Sequence, residues 1–107
     1  MKKERDFQGI LKSRLEDMFP GCYVLKNDPT FYQGIPDLII IHNDKWAMLE
    51  VKKDKNASFR PNQEYYLNDL NRMSFAASIC PENMEEVLSE LQQSLRPNRK
   101  TRVPRSK

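Results

Sequence analysis

Gly34-Ile35-Pro36-Asp37-Leu38-Ile39-Ile40-Ile41-His42-Asn43-Asp44-Lys45-Trp46-Ala47-Met48-Leu49-Glu50-Val51-Lys52 is the stretch whose reading decides the fold. Two apolar runs, 38–41 and 46–49, flank a short polar stretch, His42-Asn43-Asp44-Lys45. That pattern predicts a hairpin with strands at roughly 37–42 and 45–52. With the turn centred between Asn43 and Asp44, Ile41 faces Trp46, Ile39 faces Met48 and Asp37 faces Glu50. Directly opposed residues hold their Cβ atoms about 4.5–5.5 Å apart, and like charges there destabilise a sheet. A divalent cation held by both carboxylates would neutralise them, and hard ions such as Mg²⁺ take carboxylate oxygens and water. Lys52, two residues beyond Glu50, falls on the same sheet face. The reading depends on an even turn; an odd one would set Asp37 opposite Leu49 or Val51.

Both faces of this hairpin are apolar. Ile39, Ile41, Trp46 and Met48 lie on one, Leu38, Ile40, Leu49 and Val51 on the other, so helices are expected on both sides of the sheet. Upstream, residues 4–19 carry Phe7, Ile10, Leu11, Leu15 and Met18 at helical spacing and end at Pro20-Gly21. Cys22 to Lys26 reads as a strand, broken by Asn27-Asp28-Pro29. Downstream of a charged loop at 53–58, Pro61 fits the first turn of a helix running to about Arg72, with Tyr66, Leu67, Leu70 and Met73 as its buried stripe. Phe75 to Cys80 reads as a fourth strand. Pro81 then opens a last helix cored by Met84, Val87, Leu88, Leu91 and Leu95. The predicted order is α-β-β-β-α-β-α, an α/β fold with a mixed four-stranded sheet flanked by helices. Its β-α-β crossover should join parallel strands.

At 107 residues the chain suits one domain, placed at 1–95, with a tail at 96–107. That tail holds six of the 18 basic residues (Arg96, Arg99, Lys100, Arg102, Arg105, Lys107) and none of the 15 acids, which leaves 12 bases against 15 acids in the body. Its composition predicts disorder. It is either a solvating terminus or an arm along phosphates, with Arg99, Lys100 and Arg102 as candidate contacts. No apolar run approaches the ~20 residues of a membrane span, and no signal-peptide core follows Met1-Lys2-Lys3-Glu4-Arg5, so an intracellular protein without membrane contact is expected. Cys22 and Cys80 read as free, half-buried thiols on strands. The lone His42, in the turn, argues against zinc chemistry and is too far from Asp37 to be its general base.

Asp37 followed thirteen residues on by Glu50-x-Lys52, in this element order, resembles the PD-(D/E)xK nuclease superfamily. The fuller strings 34–39, Glu50-Val51-Lys52-Lys53 and Arg60-Pro61-Asn62-Gln63 resemble one branch. That branch comprises the small stand-alone VRR-NUC modules of phages and bacteria, related to Holliday-junction resolvases. The resemblance covers roughly residues 4–90 and implies a restriction-endonuclease-like αβββαβ(α) core. It also implies that Asp37 and Glu50 hold Mg²⁺ (Mn²⁺ substituting), while Lys52 orients or polarises the attacking water. Gln63 matches the family's glutamine. Glu4-Arg5-Asp6-Phe7-Gln8 resembles the family's first-helix motif and makes Glu4 the candidate accessory metal ligand. Blander readings stand beside each: Asp37 as a turn cap, Glu50-x-Lys52 as a solvated strand end, Glu4 as a first-turn acid favoured by the helix dipole. Gln63 could equally be a plain helix-start glutamine. Tyr32, Lys53, Lys55 and Arg60 are candidate phosphate contacts on loops, or simply solvated. Tyr65 and Tyr66 are expected to pack.

The function expected is a metal-dependent DNA endonuclease, with branched or junction DNA as the candidate substrate and 5′-phosphate products implied by the resemblance. So small a domain suits a homodimer. The resemblance places it in the cytoplasm of a bacterium or a phage-infected host cell. The alternative is a non-catalytic nucleic-acid-binding module that keeps the nuclease fold.

Overall fold

The hairpin turn is even. His42 pairs with Lys45, Ile41 with Trp46, Ile40 with Ala47, Ile39 with Met48 and Leu38 with Leu49. This is the predicted register. Asn43 turns the chain with a φ of 59°, a left-handed conformation that Asn tolerates better than most residues. The flanking strands are β2 (Leu38–His42) and β3 (Lys45–Val51). The computed structural model describes residues 4–28, 30 and 33–96, with side chains from residue 6 onward.

Around this hairpin, β1 (Tyr23–Lys26) pairs antiparallel with β2, and β4 (Phe75–Ile79) pairs parallel with β3. The sheet order is β1-β2-β3-β4. The helices are α1 (Glu4–Met18), α2 (Gln63–Met73) in the β3–β4 crossover, and α3 (Met84–Ser94) after a single 3₁₀ turn at Pro81–Asn83. This is the expected α/β arrangement, a mixed four-stranded sheet with helices against it.

Period-two alternation sends Leu38, Ile40, Ala47, Leu49, Val51 and Ile79 to one face. There they meet Phe7, Leu11 and Leu15 of α1, Phe19 just beyond it, and Val87, Leu88, Leu91 and Leu95 at α3. Each large aliphatic or aromatic buried this way contributes about 1.5–3 kcal/mol, so this layer supplies most of the apolar burial. Arg14 ties the two helices with a forked pair to Glu85, at 2.8 and 2.9 Å. The pair is exposed to solvent and so adds little to stability.

The other face is half covered. Leu67 of α2 and Ala76 of β4 are buried there, Ile39, Trp46 and Met48 are partly buried, and Tyr23, Leu25 and Ile41 are exposed. One helix about 10–12 Å wide cannot roof four strands spaced about 4.8 Å apart. The expectation of helices on both faces therefore holds only over β4 and the Glu50 end of β3.

Three details depart from the sequence reading. Ile10 is 40% exposed, because the inward stripe of α1 runs through Phe7, Leu11 and Leu15 and leaves residue 10 at its margin. Met73, in the last turn of α2, is 56% exposed. Pro61 precedes α2 rather than starting it: Asn62 has a φ of 75°, which no α-helix accommodates, so the helix begins at Gln63. Cys22 and Cys80 are free thiols, half-buried and buried. They lie just outside the ends of β1 and β4. Among the described residues, no helix is long and apolar enough to cross a membrane.

Candidate active site at the open end of the hairpin

Asp37 sits one residue ahead of β2, behind the buried Pro36. Its carbonyl accepts the Asn27 N–H at 2.7 Å, and its carboxylate Oδ2 accepts the Val51 N–H at 2.8 Å. The second bond ties Asp37 to the end of β3, beside Glu50. Burial pushes the Asp37 carboxyl above the usual carboxylate range; the Val51 N–H and the nearby Lys52, Lys26 and Arg60 charges oppose that shift. The carboxylate is thus held where its charge is disfavoured, and a cation would relieve it.

Glu50 and Gln63 are the buried polar residues of the described chain, 4% and 8% exposed. Gln63, the first residue of α2, donates from Nε2 to Glu50 Oε2 at 2.8 Å. Its Oε1 accepts from Lys52 Nζ at 3.0 Å and from the Arg60 N–H at 2.7 Å. One amide therefore bridges the acid and the lysine. Lys52 Nζ also lies 3.6 Å from Glu50 Oε2 and donates to the Ser58 carbonyl at 3.1 Å.

Gly34 joins the Gly-Ile-Pro-Asp turn to α2. Its φ is +91°, and a Cβ there would meet the Tyr66 ring at 2.9 Å and Asn62 Cβ at 3.1 Å. Only glycine lets the turn rest so close to the start of the helix that carries Gln63. Tyr66 packs at this joint, whereas Tyr65 is exposed.

These residues line a cleft of about 820 Å³ at the open end of the hairpin. Asp37, Glu50, Lys52, Gln63 and Arg60 are all in its wall. Lys53 and Lys55 are exposed on the following loop and are not in that wall. Glu4 is the first residue of α1, one turn ahead of Gln8, but its side chain lies outside the described residues. Tyr32, Arg99, Lys100 and Arg102 also lie outside them. His42 is at the opposite end of the hairpin, its Nε2 3.3 Å from the Pro20 carbonyl.

Sequence reasoning missed Gln8, Lys26 and Asn27, which line the same cleft. Asn27 Nδ2 is buried with no hydrogen-bond partner among the described residues. Lys26 pairs with Leu38, which puts it one strand over from Asp37. A partial signal existed: β1 ends immediately before the Asn27-Asp28-Pro29 break, so its last residues had to lie near the start of β2.

Among the described residues no three His, Cys, Asp or Glu side chains gather. The donor set is two carboxylates in one cleft. That suits a hard cation, which completes its shell with water and phosphate oxygens; it does not suit zinc, which favours nitrogen and sulfur ligands.

A solved VRR_NUC domain protein is similar in structure, with a TM-score of 0.62 at 21% sequence identity, over 89% of this chain and 91% of that one. No family model and no curated protein matches the sequence. At this identity the likeness establishes the fold, which is VRR-NUC-like and restriction-endonuclease-like.

Proposed function

We propose that this nuclease-fold module is a Mg²⁺-dependent DNA endonuclease that hydrolyses phosphodiester bonds. The observation that carries the reading is the hydrogen-bonded chain Glu50–Gln63–Lys52 beside Asp37 in one cleft. Buried polar networks of this kind are costly unless satisfied, and a merely structural strand end has no need of one.

In this reading Asp37 and Glu50 hold the metal, with Glu4 as accessory ligand. When bound, Mg²⁺ lowers the pKa of water and offsets charge on the scissile phosphate. Gln63 fixes the rotamers of Glu50 and Lys52. The Lys52 ammonium orients the attacking water and stabilises charge as it builds on the phosphate. Water oxygen bonds to phosphorus, the P–O3′ bond breaks, and the proton passes to O3′, giving a 5′-phosphate and a 3′-hydroxyl. Arg60 and Lys26, on the cleft wall, contact neighbouring phosphates. A second copy of the chain covers the exposed sheet face around Tyr23, Leu25 and Ile41, since apolar patches of that kind are seldom left open in monomers.

Cleavage and binding assays separate this reading from a binding module with a nuclease fold. Under the nuclease reading, EDTA and Glu50→Ala both abolish cutting. Salt-dependent DNA binding that survives both, with no cleavage under any condition, would favour the binding module.

A further inference from the structure

Two consecutive residues touch Lys52, and the next one holds its partner Gln63. The Ser58 carbonyl accepts from Nζ at 3.1 Å, and the Phe59 ring centroid lies 4.9 Å from the same nitrogen. The Arg60 N–H donates at 2.7 Å to Gln63 Oε1, the oxygen that also accepts from Lys52 at 3.0 Å. The Lys52 side chain is only 13% exposed, whereas Phe59 is 38% exposed. Phe59 therefore does not sit here as a fully buried core residue. Its ring lies beneath the ammonium, which is largely shielded from water, and a ring face attracts such a cation. Lysine has a flexible four-carbon stem and adopts a fixed direction only when several partners hold it.

We propose that residues 58–60 form a strap that positions Lys52, with Phe59 as the positioning residue whose ring holds the ammonium toward the acid pair. The proposal rests on the nuclease reading above. It assigns a role to the segment after the charged loop that neither composition nor spacing revealed. Phe59 does not touch the reacting atoms; it acts through Lys52. A packing role alone would be met by any apolar side chain of similar size, so the ring itself is what must be tested.

Two variants separate these roles: Phe59→Leu keeps apolar bulk and removes the ring, and Phe59→Tyr keeps the ring. In the metal-free protein, ring current should displace the Lys52 ε-methylene proton resonances upfield. The displacement should persist in Phe59→Tyr and vanish in Phe59→Leu. In cleavage assays Phe59→Leu should lower kcat by about three- to tenfold with KM changed by less than about twofold, and Phe59→Tyr should restore kcat. Unshifted Lys52 resonances in the wild type overturn the proposal. So does a Phe59→Leu enzyme with wild-type kcat, or one whose whole loss is in KM. If the wild-type protein cuts no DNA, the nuclease reading falls and takes this role with it. If the wild type cuts and Phe59→Leu cuts equally well, only the strap is wrong.

Discussion

Asp37 is held as a carboxylate in surroundings that disfavour its charge, which links stability to the proposed activity at a single residue. Its folded-state pKa is raised, chiefly by burial. The sign follows from linkage: the contribution to stability is fully present below the unfolded pKa and is lost as pH rises through the folded pKa. Asp37→Asn removes that loss while keeping an oxygen to accept the Val51 N–H. The variant should melt higher than wild type at pH 7, by about a few degrees given the partial exposure of the site. The gap should close on acidification below about pH 4, where the wild-type carboxyl is protonated in both states. Thermal melts of both proteins across that range check it, and a variant that melts lower than wild type at pH 7 contradicts the account. That Asp37, Glu50 and Lys52 share one cleft was legible in the sequence because strand alternation has a strict period of two. Lys26 and Asn27 were not, since the segment joining β1 to β2 has no period from which to count. Phe59 was hidden for another reason: its partner is the tip of a flexible lysine, whose direction no spacing rule gives.

The hairpin was readable as an element because its turn holds two residues and its apolar runs are symmetric about it. Helix α2 was readable except at its start. The left-handed Asn62 ends the turn that lets Gln63 reach back to Glu50, and proline statistics alone pointed two residues too early. The joint between the Gly34 turn and α2 is where these two elements set the site. At Gly34 a methyl group would lie 2.9 Å from the Tyr66 ring, on a backbone of φ +91°. Gly34→Ala should therefore cost about 1–3 kcal/mol, read as a lower urea midpoint with unchanged slope. Cleavage should fall as well, because Asp37 and Gln63 lose their common seat. An unchanged midpoint would mean that the turn does not press on α2.

For the whole molecule, the two faces of the sheet differ in kind. One is closed by α1 and α3 around a continuous apolar core. The other is polar at the Asp37–Glu50 end and apolar along Ile39, Ile41, Trp46 and Met48, with α2 over only part of it. Chain length bounded the size of the core, and alternation fixed which residues share a face. Neither could say how much of the second face one crossover helix would cover. If a second copy occupies the open part, Leu25→Glu, a charge placed at its middle, should turn a dimer into a monomer in light-scattering or sedimentation measurements. A wild-type protein that is monomeric at high concentration would remove the dimer and leave the site untouched. The site is the central claim, and cleavage tests it most directly. Nicked, flapped, duplex and four-way-junction DNA are incubated with wild-type protein and Asp37→Asn, each with Mg²⁺, with Mn²⁺ and with neither. The account predicts that the wild type cuts at least one substrate, only with metal and leaving a 5′-phosphate, and that Asp37→Asn is slower by at least about 100-fold. No cleavage of any substrate, or equal rates for the two proteins, would contradict it.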